Sequence, residues 1–91
     1  MVKHIVMFKL KENSPENLDL VLSTLRGLEG KIETLRMIEV GLDCNKSERA
    51  YDIVLTTHFD DVAGLAAYVS HPKHLPVIDM MRALCSSSIV V

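Results

Sequence analysis

The segment Tyr68-Val69-Ser70-His71-Pro72-Lys73-His74 places a phenol and two imidazoles within seven residues. An imidazole titrates near neutral pH, and a phenol held away from water can donate a hydrogen bond to a carbonyl. Such a group can move protons. Half of the four histidines lie in this segment. His4, at the other end of the chain, interrupts an otherwise apolar strand pattern. Pro72 forbids a smooth helix through the segment, because the residue before a proline avoids the α region. His71 is therefore expected at a joint, with Tyr68 before it and His74 in the first turn of a new helix.

Each of these residues has a plain reading beside the chemical one. His74 at a helix N-terminus feels the positive end of the dipole, which keeps the ring neutral and suits a general base; it could equally be a surface histidine. Tyr68 could polarise a substrate carbonyl, or pack in the core with its hydroxyl outward. His4 is either a core histidine tied to a carbonyl or to Tyr68, or a pocket wall that orients substrate, and both can hold. His71 is a substrate-side residue or a cap on the joint. His71, His74 and His4 together invite a metal reading, but the bend at Pro72 spoils the spacing and no cysteine or carboxylate completes the set. His58 is expected to be solvated or at an interface. The methionines read as core filler. Ser86, Ser87 and Ser88 lack a nucleophile-elbow context, and no phosphate loop or dinucleotide fingerprint is present. No cofactor and no metal are expected.

The elements that must position these residues follow from periodicity. Residues 2–10 alternate as a strand. Val2, His4, Val6, Phe8 and Leu10 share one face; Ile5 and Met7 lie on the other between charged neighbours. Ser14-Pro15-Glu16 opens a helix with a cap, a first-turn proline and an acid. Leu18, Val21, Leu22, Leu25 and Leu28 continue it, and Gly27 and Gly30 end it. Residues 34–43 predict a second strand with Gly41 marking a bulge or a close approach. Residues 50–59 predict the return arm of a hairpin across a polar turn at 43–48. Asp60 or Asp61 caps a short helix through Leu65, Ala66 and Val69. A further helix runs from about Pro72 to Leu84, and 86–91 form a last strand. The order β-α-β-β-α-α-β is the ferredoxin-like α+β pattern, an antiparallel sheet with helices on one face. The other face then needs cover for Ile5 and Met7. A second copy supplies it most simply, so a homodimer with a barrel-like interior is expected.

Composition narrows the function classes. The 91 residues make one domain, spanning 1–91. Net charge is −2, with both signs scattered, so neither a nucleic-acid partner nor a membrane surface is indicated. With 48% hydrophobic residues but no Trp, two Phe and two Tyr, the core must be aliphatic. Cys44 and Cys85 form no CxxC pair and read as free thiols in a reducing compartment. No secretory leader pattern or 18-residue apolar run is present, and a cytoplasmic location is expected.

Val2-Lys3-His4-Ile5-Val6-Met7-Phe8-Lys9, Gly41-Leu42-Asp43, Tyr51-Asp52 with Phe59, and above all Tyr68 to His74 carry a family likeness. Over essentially its whole length the chain resembles the stress-responsive dimeric α/β-barrel (Dabb) family. The resemblance implies a homodimer with facing sheets and a pocket inside each protomer between sheet and helices. Within the family the chain is similar to olivetolic acid cyclase-like proteins, which use a His–Tyr pair without a cofactor. On that match Tyr68 and His74 take the catalytic positions and His4 a pocket position. A second pocket tyrosine of those cyclases falls near Thr24 or Leu25 here, so the same substrate is not implied.

Two classes of function remain. One is a cofactor-free enzyme that abstracts a proton next to a carbonyl in a small hydrophobic or polyketide-like compound, as a cyclase, isomerase or lyase; related barrels include monooxygenases. The other is a non-catalytic dimer, a stress-linked protein or a binder of a small hydrophobic molecule, with the same pocket walls and no chemistry.

Overall fold

The computed structural model describes residues 1–44 and 46–91. Seven elements follow the expected order: β1 (Val2–Leu10), α1 (Pro15–Arg26), β2 (Met37–Leu42), β3 (Ile53–Phe59), α2 (Val62–Val69), α3 (Leu75–Leu84) and β4 (Cys85–Val90). The strands form one antiparallel sheet in the order β2-β3-β1-β4. β1 is thus a central strand, flanked by the hairpin on one side and by the end of the chain on the other.

Local chemistry sets the helix starts. Ser14 Oγ accepts the Asn17 N–H at 3.2 Å, and Pro15 occupies the first turn. Asp61, of the two candidate caps, takes the Gly64 N–H at 2.8 Å; Asp60 instead pairs with Arg36 at 2.7 Å. The helix face of the sheet contributes Phe8, Leu10, Ile53, Leu55 and Phe59 to the core. Val21 and Leu25 of α1, Tyr68 of α2, and Val77 and Met81 of α3 close over it. Burying each such side chain contributes about 1.5–3 kcal/mol.

The boundaries differ from the sequence expectations where polar groups find partners outside the ladder. β2 begins at Met37 rather than 34, because Thr34 donates to the Gly64 carbonyl and Arg36 to Asp60. β3 begins at Ile53 rather than 50; the Asp52 carboxylate accepts the Leu10 N–H at 2.7 Å and the Asn13 amide at 3.0 Å. Asn45, within the polar turn, lies outside the described residues. α3 starts at Leu75, three residues later than Pro72, because 72–74 form a turn closed by the His74 N–H on the His71 carbonyl. Gly41 marks a close approach and not a bulge: a Cβ there would lie 2.9 Å from Val54 Cγ1. The bulge is in the β1–β4 pairing, between Lys9 and Leu10.

The far face of the sheet has no helix on it. Met7 pairs with Val54 and with Ile89 across three strands, and Met7 and Ile89 are exposed. His58 lies on this face between Lys3 and Met37. Its Nε2 is buried and has no hydrogen-bond partner among the described residues.

Candidate active site

The joint between α2 and α3 brings two of the four candidate residues together. Tyr68, in the last turn of α2, has its ring in the core, only 2% exposed, tilted against Phe59 at 5.0 Å. The chain turns at 70–74 and returns the His74 ring to Tyr68, with centroids 4.2 Å apart and planes inclined by 32°. His74 Nδ1 lies 3.2 Å from the Val69 carbonyl oxygen. A carbonyl only accepts, so Nδ1 carries the hydrogen. In the neutral ring Nε2 then holds the lone pair, which is the state of a general base.

Burial governs the electrostatics. It lowers the His74 pKa below 6.5, the Val69 bond opposes that, and the charge of His71 lowers it further. The neutral ring argued from the helix end therefore arises first from desolvation, and His74 sits at the cap of α3 rather than inside its first turn. Burial likewise pushes the Tyr68 phenol up to about 12, so it stays protonated as a donor. No hydrogen bond of its hydroxyl is found among the described residues. His4 also has its pKa lowered, by burial and then by the charge of His74, which places the two rings within electrostatic reach. The His4 side chain makes no hydrogen bond to a carbonyl or to Tyr68 among the described residues. Its own carbonyl accepts from Thr57 at 3.3 Å.

His71 is used differently. Its Nδ1 accepts the Lys73 N–H at 3.0 Å, and its Nε2 lies 3.4 Å from Glu33. It lies beside the segment after α1 rather than in the cavity.

A cavity of about 410 Å³ lies between α3, β1 and β4, with His74 in its wall. Phe8, Val77, Ile78 and Met81 make it apolar, and Arg82 and Ser86–Ser88 add polar groups. Its size is that of a small-molecule site. The structure thus joins Tyr68 to His74 and His74 to the cavity. Tyr68 lies behind His74, and neither His4 nor His71 lines the cavity. The sequence did not single out Arg82, and it offered Ser86–Ser88 only as serines without a nucleophile elbow. A signal for Arg82 was available, since His74, Ile78 and Arg82 recur every four residues and share one helical stripe. Among the described residues no group of three or more His, Cys, Asp or Glu is placed to hold a metal ion. No helix among them is long and apolar enough to cross a membrane.

No functionally curated protein matches the chain. Among solved structures, a dimeric protein of unknown function with a ferredoxin-like fold from Bacteroides fragilis is 34% identical. The match covers 98% of this chain and 90% of that one, with a TM-score of 0.81. A dimeric ferredoxin-like protein of unknown function from Thermobifida fusca is 23% identical over 98% of this chain and 85% of that one, with a TM-score of 0.86. The hydroxynitrile lyase of Passiflora edulis is 19% identical over 98% of this chain and 87% of that one, with a TM-score of 0.85. The model of the stress responsive A/B barrel domain matches residues 2–91. With that span and the ferredoxin-like sheet, the chain belongs to the stress responsive A/B barrel domain family.

Proposed function

We propose that this protein is a homodimeric, cofactor-free enzyme in which His74 removes a proton next to a carbonyl of a small, mainly apolar compound. The observation that carries this reading is the His74 ring, desolvated, held in one tautomer by Val69 and set in the wall of the cavity. Tyr68 backs the ring and supplies a protonated phenol; His4 adds a second desolvated imidazole nearby. A base with a depressed pKa is ready at neutral pH without prior deprotonation. The likeness in fold to a hydroxynitrile lyase is in keeping with acid–base chemistry on this scaffold. The second copy is assigned to the sheet face of Met7, Val54 and Ile89, and the two free thiols accord with a reducing, cytoplasmic setting.

The test is exchange of carbon-bound protons in D₂O, followed by NMR over a panel of ketones, β-keto acids and cyanohydrins. Native protein should accelerate exchange or cleavage for at least one compound, and His74→Ala should lose the acceleration. Compounds that bind in the cavity yet never react faster than in buffer would remove the enzyme reading. One observation favours the alternative, a non-catalytic binder of small hydrophobic molecules: Tyr68 lies behind His74 and outside the cavity lining, so its donor role requires substrate to reach past His74.

A further inference from the structure

His74, Ile78 and Arg82 lie on one stripe of α3, and all three face the same cavity. His74 keeps helical backbone angles, φ −88° and ψ −31°, so the spacing holds through the cap. Eight residues at the helical rise put the backbones of His74 and Arg82 about 12 Å apart. The wall between them is aliphatic and aromatic: Val77, Ile78 and Met81 from α3, with Phe8 from β1. Beyond Arg82 the chain passes directly into β4, whose Ser86–Ser88 complete a polar end.

That end carries a cation without an internal anion. Arg82 has no ion pair or side-chain hydrogen bond among the described residues, and no carboxylate lines the cavity. A cation in the last turn complements the helix dipole, but that leaves all the guanidinium donors open to a ligand. Ser86 donates to the Lys9 carbonyl at 3.2 Å; Ser88, paired with Phe8 and so on the helix-facing side of β4, has a hydroxyl without a partner among the described residues. Asp52 and Lys11 act with opposite sign on Cys85 in the same wall, and Asp52 is already engaged by the Leu10 N–H and by Asn13. A guanidinium presents a planar fork that fits a carboxylate with two parallel hydrogen bonds.

We propose that the cavity takes a slender apolar molecule ending in a carboxylate, with Arg82 binding the carboxylate and the Ser88 hydroxyl assisting. The opposite end of the molecule then lies at His74. This names the substrate class of the proposed enzyme and rests on the reading of this cavity as its substrate site.

Binding by calorimetry, without turnover, tests it. Octanoate and octanamide have the same chain and differ in the charge of the head group. Octanoate should bind about tenfold more tightly than octanamide, and the difference should shrink with added salt. Arg82→Gln, at an exposed position, should erase most of the difference and leave octanamide binding unchanged. Equal affinities for the two ligands, no binding of either, or a preference that survives Arg82→Gln would overturn the proposal. His74→Ala separates the two claims, because it should abolish proton exchange and keep the preference for octanoate. A protein that prefers octanoate through Arg82 but accelerates no proton exchange would refute the reaction and leave the ligand class standing.

Discussion

The Tyr68 ring lies against the His74 ring at a centroid distance of 4.2 Å, while the carbonyl of the intervening Val69 holds His74 Nδ1 at 3.2 Å. One residue thus supports the imidazole from its face and the next fixes it by its edge. The ring has a single tautomer and a single orientation without any help from a carboxylate. A backbone carbonyl and an aromatic ring orient this imidazole, and no carboxylate lines the cavity beside it.

Tyr68 should separate packing from chemistry. Its ring is buried among core residues, and no hydrogen bond of its hydroxyl is found among the described residues. Tyr68→Phe should therefore change stability by no more than about 0.5–1 kcal/mol, whereas Tyr68→Ala should cost about 3–5 kcal/mol through the cavity it leaves. Urea unfolding of the two variants measures both. The phenol should also titrate late. Because its folded pKa, about 12, lies above the unfolded value of 10.0, its contribution is complete below pH 10 and is lost as the pH rises towards 12. Tyr68→Phe should remove that alkaline loss.

Acid should destabilise the fold in a defined window. His4 and His74 both have pKa values lowered from 6.5, with burial as the first cause. Below that value the unfolded chain binds protons that the folded rings resist, so their contribution is present above about pH 6.5 and is lost as the pH falls through the folded values. Melting temperatures should be level from pH 8 to 7 and decline as the pH falls below 6.5. A melting temperature that rises there would contradict the desolvated site.

The exposed sheet face should hold a second copy. Met7, Val54 and Ile89 line up across three strands, and the Bacteroides fragilis relative is dimeric. Sedimentation should find a dimer at micromolar concentration. Met7→Glu should convert it to a monomer, since a charge in an apolar sheet interface lacks a partner. A native chain that sediments as a monomer would exclude this interface.

The two thiols should behave unequally. Both are free, Cys44 exposed and Cys85 partly covered. Burial, then the Asp52 charge, raises the Cys85 pKa. Thiol titration of native protein should give one fast and one slow reaction, and unfolding should make the rates converge. A disulfide, detected as loss of both thiols in fresh protein, would contradict the separation of these residues.

The His71–Glu33 pair should matter little for stability. Glu33 is 85% exposed in its side chain, so water and salt screen the pair almost completely. Glu33→Gln should leave urea midpoints nearly unchanged.

The amino-acid sequence by itself determined the element order, the Ser14 cap, the proline joint and the two faces of β1. Those features depend on neighbours within a turn or on strict alternation, and such signals are complete in a short stretch of chain. It also singled out Tyr68 and His74, because Pro72 between them demands a bend. Only the tertiary structure decided what the bend does. The angle between α2 and α3 sets His74 on Tyr68, turns His71 to Glu33, and leaves His4 out of the cavity wall. Strand pairing brings Phe8 opposite Ser88 across eighty positions of sequence, and so builds a cavity that no local pattern announces. The neutral state of His74 comes first from burial, a property of everything packed around the ring, and so it arises only when the chain is folded.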